Sequence, residues 1–179
     1  MIAVDRGILR MDDPVENYLP EFKRLENKVT IHDCMCHISG IYGGDVSTIH
    51  TSVPVREQAR SWALNGVCKK KIGEEFSYGN IGIATAAACL EVASGVPYEE
   101  FLQKNVLDPL GMTATTFWPT DKQLETQVEL YCCASNAPAT YFRENGWQQR
   151  PYNDRHVFPS AGAGLWTTAR DQLKFYKML

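Results

Sequence analysis

Apolar positions along this chain of 179 residues recur mostly at helical spacing, in segments closed by glycine or proline. Met1, Val4, Ile8 and Leu9 follow that period with no capping residue before them, which reads as a helix cut from something longer. The stretch "DDPVENYLP" predicts a short helix with an acidic first turn, ended by Pro20. Thr30 is the predicted N-cap of "TIHDCMCH", which stops before the turn "SGIYGG". "VPVREQARSWALNG" carries Pro54 near its first turn and Gly66 after its last. The strongest helix is "SYGNIGIATAAACLEVASG", dominated by alanine and leucine and stopped at Gly95. "VPYEEFLQKNVLDPLGM" follows, from Pro97 to Asp108-Pro109. From Thr113 to about Ser160 the period fades, and "TQVELY", "TYF" and "GWQQ" predict short strands and loops. "TTARDQLKFYKML" closes the chain as an amphipathic helix with Leu173, Tyr176 and Lys177 at helical spacing. No internal repeat, linker or low-complexity tract divides the chain. The fold class is mainly α with a small β and loop insertion.

Composition adds exclusions. The 44% hydrophobic and 22% charged residues are those of an ordinary globular chain. A formal charge of -3 gives no electrostatic reason to expect nucleic acid or an anionic membrane as partner. Lys69-Lys70-Lys71 reads as a solvated loop beside a glycine turn. No apolar run approaches the ~18 residues of a membrane span, and Asp5 and Arg6 break the first residues as a secretory signal. Six cysteines without regular spacing read as buried free thiols rather than a disulfide framework, which leans toward a reducing, cytoplasmic compartment.

One segment, "IHDCMCHISGIYGG", gathers two histidines, an aspartate and two cysteines between His32 and His37. Zinc needs three or four converging ligands. On a helix Cys34 and Cys36 point about 200° apart. The pairs sharing a face are His32 with Cys36 and Asp33 with His37, each half a site, and nothing in the spacing brings in Cys132, Cys133, His50 or His156. The reading taken is a half-buried helix whose thiols act as small apolar groups, with no metal and no cofactor.

The same segment, "TIHDCMCHISGI", resembles the "TIRHLLTHTSGL" of the serine β-lactamase-like hydrolases, the group of class C β-lactamases, penicillin-binding DD-peptidases and related esterases. His37, Ser39 and Gly40 match; Cys34 and Met35 stand where the family has core leucines, and Cys36 where it has threonine. "DRGILRMDDPVENYLPEF" is similar to the family's "GKLSLDDPVSKYLPEF". The block from Lys71 to Met112 is similar to "PGTxFSYSNxGYxLLGxIIExVSGxxYxxFlxxxIfxPLGM". "FPSAGAGLWTTARDQLKFYKML" resembles "xPAGGGLxSTAxDLAxFxxML". The resemblance runs from the first residue to the last, in family order. It implies that residues 1–179 are the central, mostly helical portion of an α/β serine β-lactamase-like fold, without its nucleophile helix and sheet strands.

That family transfers acyl groups through a serine ester, using Ser-x-x-Lys, Tyr-x-Asn and Lys-Thr-Gly or His-x-Gly elements. The spacing of Ser-x-x-Lys sets hydroxyl and amine one helical turn apart, so that the amine helps activate the nucleophile. Tyr78-Gly79-Asn80 matches the second element. By resemblance Tyr78 is a general acid or base and Asn80 an amide that orients substrate; the competing reading has Tyr78 packing at a helix start and Asn80 capping it. The other two elements are absent: no serine has lysine three residues on, and Lys71-Ile72-Gly73 precedes Tyr78 and occupies a turn the family writes "PG". Tyr42 and Gly43, in the turn after "HISG", and Gly162 and Gly164, in "SAGAGL", are expected at the rim of the substrate cleft.

The resemblance therefore implies part of a hydrolase acting on a β-lactam, a D-Ala peptide or a small ester, inactive as it stands. The alternative is a non-catalytic binding or interaction remnant of that family. The implied partner is a small-molecule or peptide substrate of the intact parent, with self-association through the apolar face that a sheet would otherwise cover.

Overall fold

Alanine supplies the centre of the molecule. In this computed structural model, which describes residues 1–41, 53–65, 71–128, 158–162 and 164–179, the longest helix is α4, Asn80–Ser94. Its residues Ile81, Gly82, Ala84, Thr85, Ala86, Ala87, Ala88 and Cys89 are all buried, the mark of a helix surrounded by other elements. Small side chains let neighbours come close. A Cβ on Gly82 would lie 2.9 Å from the Cys34 carbonyl oxygen of α2, Ile31–Met35. The helix ends at Gly95, whose φ of +74° is the left-handed cap that glycine adopts without strain.

Around α4 pack α2, α3 (Val55–Asn65) and α5 (Tyr98–Leu102). Ala59 and Ala63 of α3 are fully buried, as are Val15 and Cys34, with Leu19 and Phe22 in the same core. Phe22 also stacks on Trp62, with ring centroids 6.0 Å apart. At the start of the chain α1, Ile2–Asp5, is one turn, and Leu9 enters the core behind it.

Residues 12–20 depart from the expected α-helix, and the chain from 15 to 24 turns differently. It forms two 3₁₀ turns, Val15–Asn17 and Pro20–Arg24. The cause is non-local: the Val15 N–H donates to the Val29 carbonyl at 2.8 Å and Ile31 N–H to Asp13 at 3.1 Å, in an isolated bridge between Pro14 and Thr30. A backbone tied sideways cannot continue as α-helix. Pro20, expected to end a helix, stands first in the second turn, where its missing N–H costs nothing.

Thr30 caps α2 as expected. Its hydroxyl accepts from Asp33 N–H at 3.2 Å, and the Asp33 carboxylate accepts from Thr30 N–H at 2.9 Å, a reciprocal capping box. The segment predicted as one helix after Pro97 is α5 followed by a π turn, Gln103–Leu107. There the Asn105 amide donates to the Phe101 carbonyl at 2.7 Å.

Among the described residues there is no strand; isolated bridges join Pro14 to Thr30 and Thr116 to Trp166. Residues 126–128 of the expected strand "TQVELY" are irregular, and the rest of that stretch, with "TYF" and "GWQQ", lies outside the described residues. A short α6, Asp121–Leu124, carries its own Thr120–Gln123 capping box.

The last helix, α7 (Ala169–Met178), is anchored by an acid rather than by its apolar residues. The Asp171 side chain is buried and accepts from Ala114 N–H at 2.8 Å, from the Thr115 hydroxyl at 3.0 Å and from Lys174 at 2.8 Å. Lys174 also donates to the Gly111 carbonyl. Leu173 and Tyr176, at helical spacing on this helix, are exposed. No single described helix is long and apolar enough to cross a membrane.

Candidate active site

The chain approaches α4 through residues 75–79, outside any helix or strand, after a turn at Gly73 with φ +75°. Gly79 is the N-cap of α4 and Asn80 its first helical residue, with no side-chain capping bond. Asn80 is therefore not a cap, and its carboxamide is left for other contacts. Tyr78 is 71% exposed, so it does not pack into the helix start either.

Asn80 meets the second glycine-rich segment. A Cβ on Gly162 would stand 2.6 Å from Asn80 Oδ1 and 3.1 Å from its Cγ. With glycine here the turn at 160–162 lies directly against this carboxamide, which a side chain would have to push aside. Within that turn the Gly162 N–H donates to the Ser160 hydroxyl at 3.3 Å. Gly164 contributes differently: a Cβ there would meet nothing within 4 Å, and its φ of +89° is what requires glycine. Tyr42 and Gly43 lie outside the described residues. The fold thus brings Gly162 against Asn80, two residues after Tyr78.

His37 is the residue whose part in this arrangement the sequence did not disclose. It follows the C-cap of α2 with φ +58°, the one described non-glycine residue at positive φ. Its ring lies 4.6 Å from that of Tyr78 and 5.7 Å from that of Phe76. The Gly79 N–H donates to His37 Nδ1 at 3.3 Å, and Ser77 N–H to the His37 carbonyl at 2.8 Å. The available signal was the "HISG" match itself, which marks the position without saying what its imidazole does.

The histidine–cysteine segment gathers no metal set. Among the described residues no three or more His, Cys, Asp or Glu side chains come together as ligands. His32 Nε2 lies 3.5 Å from Cys36 Sγ, the pairing expected on one helix face. Asp33 and His37 do not share a face, because α2 ends at Met35 and His37 turns into the left-handed region. The expectation of buried thiols holds for Cys34 and Cys89 and fails for Cys36, which is exposed, as is Met35 beside it. The short α2 leaves its last residues on the surface.

A concavity of about 400 Å³ lies near the other end of α4, lined among others by Arg56, Glu91, Pro97 and Phe158. Glu91 is eleven positions along α4 from Asn80, about 16 Å at helical rise, so this hollow is separate from the Tyr78 region. Burial raises the Glu91 carboxyl above the ordinary range, although its Oε1 accepts from Tyr98 N–H at 2.9 Å.

The beta-lactamase family model matches residues 1–179. The D-alanyl-D-alanine-carboxypeptidase/endopeptidase AmpH of Escherichia coli is 27% identical over 128 residues, covering 67% of this chain and 33% of that protein. The octameric penicillin-binding protein homologue of Pyrococcus abyssi superposes with a TM-score of 0.66 at 27% identity, over 99% of this chain and 41% of its own. A beta-lactamase/D-alanine carboxypeptidase of Yersinia pestis superposes with a TM-score of 0.69 at 21% identity, over 98% of this chain and 48% of its own. The chain spans a third to a half of the length of these relatives.

Proposed function

The chain belongs to the beta-lactamase family, and on that premise we propose that its residues form one wall of a serine acyl-transfer site acting on an amide or ester. The substrate would be a β-lactam, a D-Ala peptide or a small ester. Tyr78 is the proton-transfer group of that wall, and Asn80 the amide that orients the substrate carbonyl. One observation carries the reading: two segments 82 positions apart meet where the Asn80 carboxamide fills the space a side chain on Gly162 would need. The exposed Tyr78 ring stands two residues before Asn80, where a substrate can reach it. An exposed phenol moves a proton only to groups within hydrogen-bond distance, so the wall needs a nucleophile placed opposite it. Gly162 and Gly164 form part of the rim of the cleft.

No serine of these 179 residues has lysine three positions on. The proposal is therefore that residues 1–179, the central helical portion of the domain, bind and orient but do not turn over by themselves. The same observation favours a second reading, a binding remnant of the family that has given up catalysis. The exposed Leu173 and Tyr176 of α7, together with the octameric state of the Pyrococcus abyssi relative, support self-association.

The test is ¹⁵N NMR of this chain titrated separately with a penicillin, an acyl-D-Ala-D-Ala peptide and a short-chain ester, with intact mass after a serine-directed fluorophosphonate. Shifts confined to Tyr78, Asn80 and Gly162, with no covalent adduct, are expected. Shifts at the far end of α4 instead, or no shift with any ligand, would overturn the wall. A stoichiometric adduct on one serine would overturn the claim that the chain lacks a nucleophile.

A further inference from the structure

We propose that His37 is the positioning residue of this site, an imidazole held in a strained backbone conformation so that it fixes the Tyr78-Gly79-Asn80 segment. The inference rests on reading Tyr78 and Asn80 as the groups that meet substrate, and it says what aims them.

The backbone at the end of α2 closes as a Schellman motif. The Ile38 N–H donates to the Asp33 carbonyl at 3.0 Å and the His37 N–H to the Cys34 carbonyl at 3.3 Å. That pattern places its left-handed residue just past the C-cap, a position glycine fills at no cost and asparagine at little. Here the position holds His37 at φ +58°. An L side chain pays for that conformation, and a strained residue persists where its surroundings over-determine it. The cap itself gives no reason for an imidazole.

The reason lies on the other side of the residue. His37 binds the segment before α4 at two points: its carbonyl accepts from Ser77 N–H at 2.8 Å and its Nδ1 accepts from Gly79 N–H at 3.3 Å. Its ring also contacts those of Phe76 and Tyr78, tilted 38° to the Tyr78 ring at 4.6 Å. An imidazole supplies both things at once, a flat surface for the phenol and an acceptor for the amide between Tyr78 and Asn80. The bond to Nδ1 assigns the proton to Nε2, because a nitrogen that accepts carries none. Tyr78 is thereby oriented without being enclosed, and its hydroxyl keeps access to a substrate.

Replacement by glycine separates this role from a merely structural one. His37→Gly relieves the left-handed strain and keeps the Schellman bonds, so the melting temperature is expected to hold or rise. It removes the acceptor, so exchange of the Gly79 amide is expected to accelerate about threefold to tenfold, the effect of one modest hydrogen bond. His37→Asn tolerates positive φ and offers a carbonyl oxygen, and is expected to restore much of the Gly79 protection. In the unsubstituted chain, long-range ¹H–¹⁵N correlation is expected to show Nδ1 bare and Nε2 protonated. A large fall in melting temperature for His37→Gly, unchanged Gly79 exchange, or a proton on Nδ1 would each overturn the proposal. These readouts need no ligand, so failure of the penicillin, peptide and ester titrations would defeat the acyl-transfer reading while leaving the His37 contacts measurable.

Discussion

The Asn80 carboxamide occupies the space into which a side chain on Gly162 would project, with Oδ1 only 2.6 Å from the position of the missing Cβ. The atom in the way is the end of a side chain rather than backbone, so it can move aside. Gly162→Ala is therefore expected to change stability by less than about 1 kcal/mol. It should nevertheless displace the carboxamide, seen as a shift of the Asn80 side-chain NH₂ signals. Unmoved signals would show that the two segments do not touch.

Gly82 sets the opposite case. A Cβ there would meet the Cys34 backbone carbonyl at 2.9 Å, and backbone does not step aside. Gly82→Ala gains about 1 kcal/mol of helix propensity, yet it must push α2 off α4, an overpacking cost of about 1–3 kcal/mol. A lower urea midpoint is expected. A raised midpoint would contradict the close approach of the two helices.

The Asp171 carboxyl is held below the ordinary carboxylate range, first by its bond to Lys174 and then by those to Ala114 N–H and the Thr115 hydroxyl. A depressed folded-state value means stability that is present above the ordinary range and lost as pH falls through it. The melting temperature should decline on acidification from about pH 5 downward. Asp171→Asn should flatten that acid limb while costing about 1.5–3 kcal/mol near neutrality. An unchanged acid limb would place the sensitive carboxylate elsewhere.

At the alkaline end the sign reverses. Burial pushes the Cys89 thiol up to about 12, with the Asp13 carboxylate adding to it. Tyr18 also rises to about 12, through burial and then its 2.5 Å hydrogen bond to Asp13. Raised values mean stability that is complete below the unfolded-state values, 9.0 and 10.0, and eroded as pH climbs toward about 12. Cys89→Ala should make the loss above pH 9 shallower. In the same samples a thiol reagent at neutral pH should label exposed Cys36 rapidly and reach Cys34 and Cys89 only on unfolding; fast native labelling of Cys89 would contradict its burial.

Much of this was legible in the sequence wherever the cause is local. Thr30 and Asp33 cap α2 across three residues, and Gly95 stops α4 by its own conformational freedom. What was not legible depends on distant partners. The 3₁₀ turn at Val15–Asn17 stands beside the bridge between Pro14 and Thr30 and the Val15 bond to Val29, which no period within the segment reports. The amphipathic α7 was legible, but the face by which it is held is set by residues 111–115, and the buried residue there is an aspartate. For the site, Tyr78 and Asn80 stood out by motif, whereas their contacts to Gly162 and His37 required the fold.

The two groups proposed to meet substrate are mounted unequally. Asn80 begins a fifteen-residue helix buried along most of its length, so its backbone moves only if the core moves. Tyr78 precedes that helix on a segment with no regular structure and leans on one imidazole. Substitution at position 37 is therefore a way to re-aim the phenol without disturbing the folded interior, while the amide stays as a fixed reference. A single half-buried residue then becomes a tuning point for reactivity, apart from the core that keeps the protein folded.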